Sequence, residues 1–336
     1  MNRLSSRLQE ALERWGVLIA FAILFAISSF KQGFDFVNPE NFRALLNSNA
    51  PVGILAVGMT LVIVSGGIDL SVGSMVVLAA ALGTTAMNAQ IAGESSELNA
   101  VLIGGAVTIA AGIAAGCING ALIVFGRIAP FIATLGGLAA FRSMSLAIAD
   151  AGEIRSQSAT LFSALGRGGI PIPGLENAAG KPLTISFSTV IFLVVAVVAQ
   201  WFLSRARFGR HLIAVGANET AARYSGLSIS WIRFRVYAIM GLLAGIAALV
   251  QSSRMNSVST SQLGLGSELD AIAAVVIGGT SLQGGFGRVW GTVVGVLILG
   301  MITNMLTISG VSPYWQGAIK GAVIVLAVLV QRPSRS

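Results

Sequence analysis

Long apolar runs separated by short polar breaks set the pattern of this chain. Measured against the ~20 residues that a helix needs to cross a bilayer, the runs predict spans near 16–33, 50–66, 72–91, 99–126, 129–149, 184–203, 234–253, 269–284, 288–308 and 314–331. The expected fold class is therefore an all-α polytopic membrane protein of about ten transmembrane helices. The runs at 50–66 and 269–284 are short and each leads into Gly-rich sequence, so a full span and a broken, re-entrant helix both fit them.

The breaks add detail. Asn38–Asn49, following an Asn-Pro turn, reads as an external pre-helix, and 151–182, with Pro171, Pro173 and Pro182, reads as an exposed loop holding one short helical turn. No connection is long enough for a separate soluble domain, so 1–336 reads as one transmembrane domain. Two Gly-rich hairpins, Val62–Ala86 and Val275–Val296, resemble each other enough to suggest an internal duplication. Glycines at four-residue spacing (Gly112, Gly116, Gly120; Gly241, Gly245; Gly287, Gly291, Gly295) predict smooth helix faces where backbones approach closely.

Composition fits this picture: 55% of residues are hydrophobic and 10% charged, too little polar surface for a soluble domain of this length. The first run follows Arg3, Arg7 and Arg14 with no small-residue cleavage site, and reads as a retained anchor with 1–15 in the cytoplasm. With ten spans, Arg127, Arg288 and the arginines of 204–235 share that side with the tail at 332–336. Lys31, Arg43, Arg155, Arg167, Lys181 and Arg254 fall on the other. The Lys/Arg excess on the first side orients both termini inward, with 151–182 periplasmic. The net charge of +8 is dispersed among apolar spans and argues for membrane orientation, with lipid as the surrounding partner and not nucleic acid.

Chemical machinery is sparse. His211 is the sole histidine and Cys117 the sole cysteine, so neither a metal-binding histidine pair nor a cysteine cluster is available, and no catalytic residue is expected. The only Gly-Lys pair, Gly180-Lys181, precedes Pro182 and cannot start a phosphate-binding loop, so the chain binds no ATP and no other cofactor of its own. Inside the spans stand Lys320, expected to snorkel to the outer interface, Arg142, which either snorkels there or holds a buried structural partner, and Asp69 at a turn, where it can accept hydrogen bonds at the start of the third span. Polar candidates for a solute path are Thr60, Ser65, Asp69, Asn119, Thr134, Gln283 and Asn304, although polar groups within hydrocarbon more often serve as interhelical hydrogen-bonders. As a set they fit a neutral, polyhydroxylated solute, since hydroxyls need donors and acceptors but no counter-charge. A secondary carrier coupled to an ion gradient is the rival reading.

One polar island interrupts the pattern. Residues 204–235 hold six of the chain's 21 Lys and Arg residues (Arg205, Arg207, Arg210, Arg223, Arg233, Arg235), with Glu219 as the only acid. Asn218 is placed to cap a helix, Glu219 to favour its first turn and Gly226 to end it, which predicts a two-turn helix in a cytoplasmic coupling loop over 204–233. Too short and too polar for a membrane or a core, such a helix suits docking.

Thr220-Ala221-Ala222-x-x-x-Gly226 resembles the coupling-helix motif of ATP-binding-cassette importer permeases, with Thr220 where that motif has Glu. Gly209-Arg210, Asn218-Glu219, AVGMTLVIVSGGIDLSVGS at 56–74, PFIATL at 130–135, ELDAIAAVVIGGTSL at 268–282 and GTVVGVLILG at 291–300 are similar to ribose-type sugar permeases of the carbohydrate-uptake, branched-chain-amino-acid-like group. The resemblance runs from Asn38 to Val330. It implies a type II importer-like bundle in the bacterial inner membrane that works with a second permease, cytoplasmic ATPase subunits holding ATP and magnesium, and a periplasmic sugar-binding protein. It also implies ATPase coupling through Gly209, Arg210, Asn218, Glu219, Thr220, Ala221, Ala222 and Gly226. The outer acids Glu268 and Asp270 become candidate contacts for the binding protein.

Overall fold

The computed structural model describes residues 18–158, 160–176, 180 and 182–330; the segments 1–15 and 332–336, with Arg3, Arg7, Arg14 and Lys181, lie outside the described residues. The chain runs as helices α1 (Leu18–Gln32), α2 (Phe34–Val37), α3 (Pro39–Val64), α4 (Val72–Ala92), α5 (Glu97–Val124) and α6 (Pro130–Ile148). Strand β1 (Glu153–Arg155), α7 (Leu161–Arg167), β2 (Gly169–Glu176) and β3 (Pro182–Ser186) follow. The remainder is α8 (Phe187–Arg205), α9 (Arg207–Ala217), α10 (Glu219–Tyr224), α11 (Ile229–Met255), β4 (Ser257–Ser259), α12 (Ser267–Ile277), α13 (Val289–Ile308) and α14 (Pro313–Val330). Among the described residues, seven helices are long and apolar enough to cross a membrane: α3, α4, α5, α6, α8, α11 and α13. The protein is a polytopic helical membrane protein.

Helix α3 is the axis of the bundle. Ala50, Pro51 and every residue from Gly53 to Val64 are buried, as an all-round apolar helix requires, and α8, α11, α12 and α13 pack around it. It begins at Pro39, not near 50: Asn38 Oδ1 accepts from the Glu40 amide at 2.9 Å, and the expected external pre-helix is the first part of the same 26-residue helix. Phe42 and Leu45 on that first part pack with Phe25 of α1, Phe36 of α2 and Met301 of α13, so the polar residues between them mark a face, not a break. The glycine faces meet as their spacing predicts. A Cβ at Gly112 would stand 2.5 Å from the Gly241 carbonyl oxygen and 2.7 Å from the Gly245 amide nitrogen, which closes α5 on α11.

The 151–182 connection is more ordered than the expected loop with one helical turn. β1 pairs antiparallel with β4 and β2 with β3. Glu97 Oε1, in the first turn of α5, accepts from the Thr160 and Leu161 amides at 2.7 and 2.9 Å, which fixes the start of α7. Arg167 at the end of α7 donates to the Arg254 carbonyl at 2.7 Å, tying it to the last turn of α11.

Candidate functional site

Both Gly-rich hairpins close their first helix in the same way. At the end of α3, Gly66 adopts φ +79°, its amide donates to the Ile63 carbonyl at 2.9 Å and that of Gly67 to the Val62 carbonyl at 3.0 Å. At the end of α12, Gly279 adopts φ +84°, with Gly279 N–H on Val276 and Thr280 N–H on Val275 at 2.8 and 3.2 Å. These are two copies of one left-handed glycine cap, a geometry a side chain would strain. The turns that follow meet: Gly285 N–H donates to the Val64 carbonyl at 2.9 Å.

Helix α9 sits on that meeting point. The sequence pattern did not single it out, although Phe208, Leu212 and Val215 carry helical spacing; Leu212 and Val215 are buried and Phe208 packs partly against the core. A Cβ on Gly216 would overlap the Val64 carbonyl and stand 2.6 Å from the Gly285 amide nitrogen. Beyond it, Asn218 Oδ1 accepts from the Ala221 amide at 2.9 Å and starts α10. Gly226, at φ +79°, ends α10 with the Gly226 and Leu227 amides on the Arg223 and Ala222 carbonyls at 3.0 and 3.1 Å. Glu219 accepts from Arg223 at 3.1 Å and from Arg233 of α11 at 2.7 Å, which ties α10 to the bundle. Ala222 faces inward while Thr220, Ala221 and Tyr224 are exposed, Tyr224 to 89%. Gly209 is buried against the Phe202 and Leu203 carbonyls, and Arg210 donates to the Arg205 carbonyl at 3.1 Å. Tyr224 is a surface feature that the motif itself, which leaves that position open, does not mark.

The polar path candidates separate into distinct places. Asp69 and Asn119 come together through Ser71: Asp69 Oδ1 accepts from the Ser71 amide at 2.9 Å and hydroxyl at 2.7 Å, and Asn119 Nδ2 donates to Ser71 Oγ at 2.8 Å. Asp69 thus braces the residue before α4 and does not cap the helix directly. A Cβ on Gly137 of α6 would lie 2.8 Å from Asn119 Oδ1 and 3.3 Å from Ser71 Cβ. At 1.5 Å per residue, Asn119 and Gly137 lie about 8 and 11 Å along α5 and α6 from the helix ends that flank the 125–129 turn, so Ser71 sits well inside the bundle. Asp69 and Asn119 are wholly buried, and Asp69 Oδ2 and Asn119 Oδ1 have no hydrogen-bond partner among the described residues.

The other candidates are occupied locally. Thr60 bonds Thr292 of α13 at 2.7 Å, Ser65 donates to the Val62 carbonyl at 2.6 Å, and Thr134 donates to the Pro130 carbonyl at 2.8 Å. Asn304 and Asn41 exchange amide bonds at 2.7 and 3.2 Å. Gln283 is exposed on the turn beside Gly285.

Lys320 is held by a carboxylate of a neighbouring helix, contrary to the snorkelling expected of it. Its ammonium donates to both carboxylate oxygens of Asp270 at 3.1 Å, joining α14 to α12. Arg142 of α6 donates to the Thr260 and Leu263 carbonyls at 3.2 and 2.9 Å. The segment it holds brings Gly264 against Gly73 at the start of α4, where Glu268 Oε2 also lies 2.5 Å from an ideal Gly73 Cβ position. Eleven residues make α12 about 16 Å long, half of a ~30 Å hydrocarbon core. Segment 260–266 therefore descends from β4 into the bundle, and Glu268 and Asp270 are directed at α4 and α14 instead of standing on an outer loop.

Helix α9 is thus seated on the turns of two like-built hairpins, and α10, capped at both ends, lies on the surface beyond it. A family model described as "Branched-chain amino acid transport system / permease component" matches residues 41–328. The chain belongs to this permease family. It is 40% identical over 317 residues to the ribose import permease protein RbsC of Escherichia coli (strain K12), covering 93% of this chain and 92% of that one. It is 38% identical over 326 residues to the Bacillus subtilis ribose import permease protein, covering 96% and 93%. With the D-allose transport system permease protein AlsC of Escherichia coli it shares 34% identity over 323 residues, covering 95% and 92%. No solved structure matches it. As a permease component the chain is a transport subunit and not an enzyme.

Proposed function

We propose that this chain is the membrane subunit of an ATP-driven importer that carries a monosaccharide of the ribose type across the bacterial inner membrane. Two permease chains enclose the path, cytoplasmic ATPase subunits supply ATP and magnesium, and a periplasmic binding protein delivers the sugar. In this reading α1, α12 and α14 complete the seven long helices to ten membrane-inserted segments, with both termini in the cytoplasm. Identities of 40% and 38% to ribose import permeases, aligned over 93% and 96% of this chain, support the substrate class.

The observation that carries the reading is α10, a helix fixed at both ends yet exposed on the face that the motif marks. An ATPase pair closing on ATP moves α10. The Glu219–Arg233 pair passes that motion to α11, and Gly216 passes it to the meeting point of Val64 and Gly285. The two hairpins lead from there into α4 and α12, whose contacts with α6 and α14 close the bundle. Interfaces of this kind switch between discrete packings instead of bending continuously, which is what alternating access needs. Two buried acceptors without donors, Asp69 Oδ2 and Asn119 Oδ1, suit a solute that brings hydroxyl hydrogens as the path opens.

Co-assembly tests the proposal. Expressed with the ATPase and binding protein of its own system, the chain should purify as a complex whose ATP hydrolysis rises when sugar-loaded binding protein is added. A chain that never retains an ATPase overturns it.

A further inference from the structure

We infer that the groove between α8, α9 and α11 is a binding site for an anionic phospholipid, with one acyl chain in the groove and the phosphate at the arginines of the α8–α9 junction. The groove has a volume of about 310 Å³, and its accessible lining is wholly apolar, including Leu61 of α3, Val198 and Phe202 of α8, Leu212 of α9, and Leu243 and Ile246 of α11. Val198 and Phe202 are 49% and 43% exposed, so the groove opens onto the outer surface of the bundle.

Its position identifies the occupant. Arg205, Arg207 and Arg210 each lie within two residues of a lining residue (Leu203, Phe208 or Gly209), and all three are exposed. Among the described residues no carboxylate pairs with these three arginines, because Glu219 is held by Arg223 and Arg233. Trp201 and Trp231, 56% and 54% exposed, stand within a few residues of this arginine rim and of Arg233 and Arg235, the composition of a membrane–water boundary. An acyl chain gains no hydrophobic free energy by leaving the bilayer for an apolar groove; it gains the dispersion contacts that a void would forfeit. Selectivity therefore comes from the headgroup, and three unpaired arginines select an anion over a zwitterion. Since α9 forms one wall and carries α10, a bound lipid wedges the docking helix in place.

Full-length protein in nanodiscs containing equal dioleoyl phosphatidylglycerol and dioleoyl phosphatidylcholine, released and weighed by native mass spectrometry, tests this. Wild-type protein should retain the glycerol lipid at least tenfold over the choline lipid, Arg205→Gln/Arg207→Gln should retain both equally, and Val198→Trp should retain neither at this stoichiometric site. Elution as a single symmetric peak checks that each variant is folded, and Val198→Phe replaces Val198→Trp if it is not. Equal retention by wild-type protein, or an unchanged preference in the arginine variant, overturns the inference. So does a second copy seated on the groove, seen as Val198→Cys disulfide dimers in a Cys117→Ala background.

Discussion

The amide of Gly285 donates to the carbonyl of Val64 at 2.9 Å, across more than two hundred residues of sequence. This bond joins the turn after α12 to the end of α3, and Gly216 of α9 lies against both of its partners. Any side chain at 216 must push α9 off that contact. Gly216→Leu should therefore lower stability by about 1–3 kcal/mol, as overpacking does, and uncouple the transporter, with ATP hydrolysis maintained and sugar uptake reduced at least tenfold. Hydrolysis and uptake measured on the same proteoliposomes check it.

Tyr224 is the one aromatic residue on α10 and is almost fully exposed. Exposed aromatics of this kind concentrate interface energy. Tyr224→Ala should weaken ATPase binding tenfold or more, and Asn218→Ala should weaken it less, through loss of an N-cap worth about 1 kcal/mol. Titrating the ATPase onto nanodisc-held permease gives both affinities, and membrane insertion should be unchanged in each.

Thr60 and Thr292 share one buried hydrogen bond between α3 and α13. If their role is packing, removing one hydroxyl strands the other. Thr60→Val should cost about 1–2 kcal/mol, and Thr60→Val/Thr292→Val should recover much of it, because replacing both partners is cheaper than orphaning one. Thermal unfolding of the three variants in one detergent checks this, and the sugar concentration at half-maximal uptake should not move.

Lys320 and Asp270 are both mostly buried, with side-chain exposures of 22% and 31%. Breaking a fully buried pair costs about 3–5 kcal/mol; with this degree of solvent screening, Lys320→Met should cost about 1–3 kcal/mol. Lys320→Met/Asp270→Asn should regain most of that loss. Unfolding midpoints show whether the uncompensated carboxylate, and not the missing ammonium stem, is the cause.

Local chemistry made part of this structure legible in the sequence. Asn218 and Gly226 bound α10 because a cap and a left-handed stop are decided within a few residues, and the glycine spacing of α5 and α11 announced smooth faces, though not that each is the other's partner. The helix at the start of α3 was legible as a pre-helix, but its continuity with the span was hidden because Arg43, Asn47 and Asn49 interrupt the apolar run while lying on the same helix as Phe42 and Leu45. Helix α9 was hidden by its charges, which occupy one face and leave Leu212 and Val215 on the other. The Lys320–Asp270 and Asn41–Asn304 pairs join distant segments, and nothing local distinguishes such residues from an interface lysine or a solvated amide. The inward turn of Glu268 depends on the descent of 260–266, which the short run at 269–284 hinted at but could not orient.

The most direct measurement is uptake of labelled ribose into proteoliposomes assembled with the chain alone, with its ATPase, and with ATPase plus binding protein, each with and without ATP and an imposed proton or sodium gradient. The account expects uptake only when all three components and ATP are present, at a rate indifferent to ionophores. Uptake by the chain alone, driven by the gradient and lost when the gradient collapses, would contradict it and identify an ion-coupled carrier.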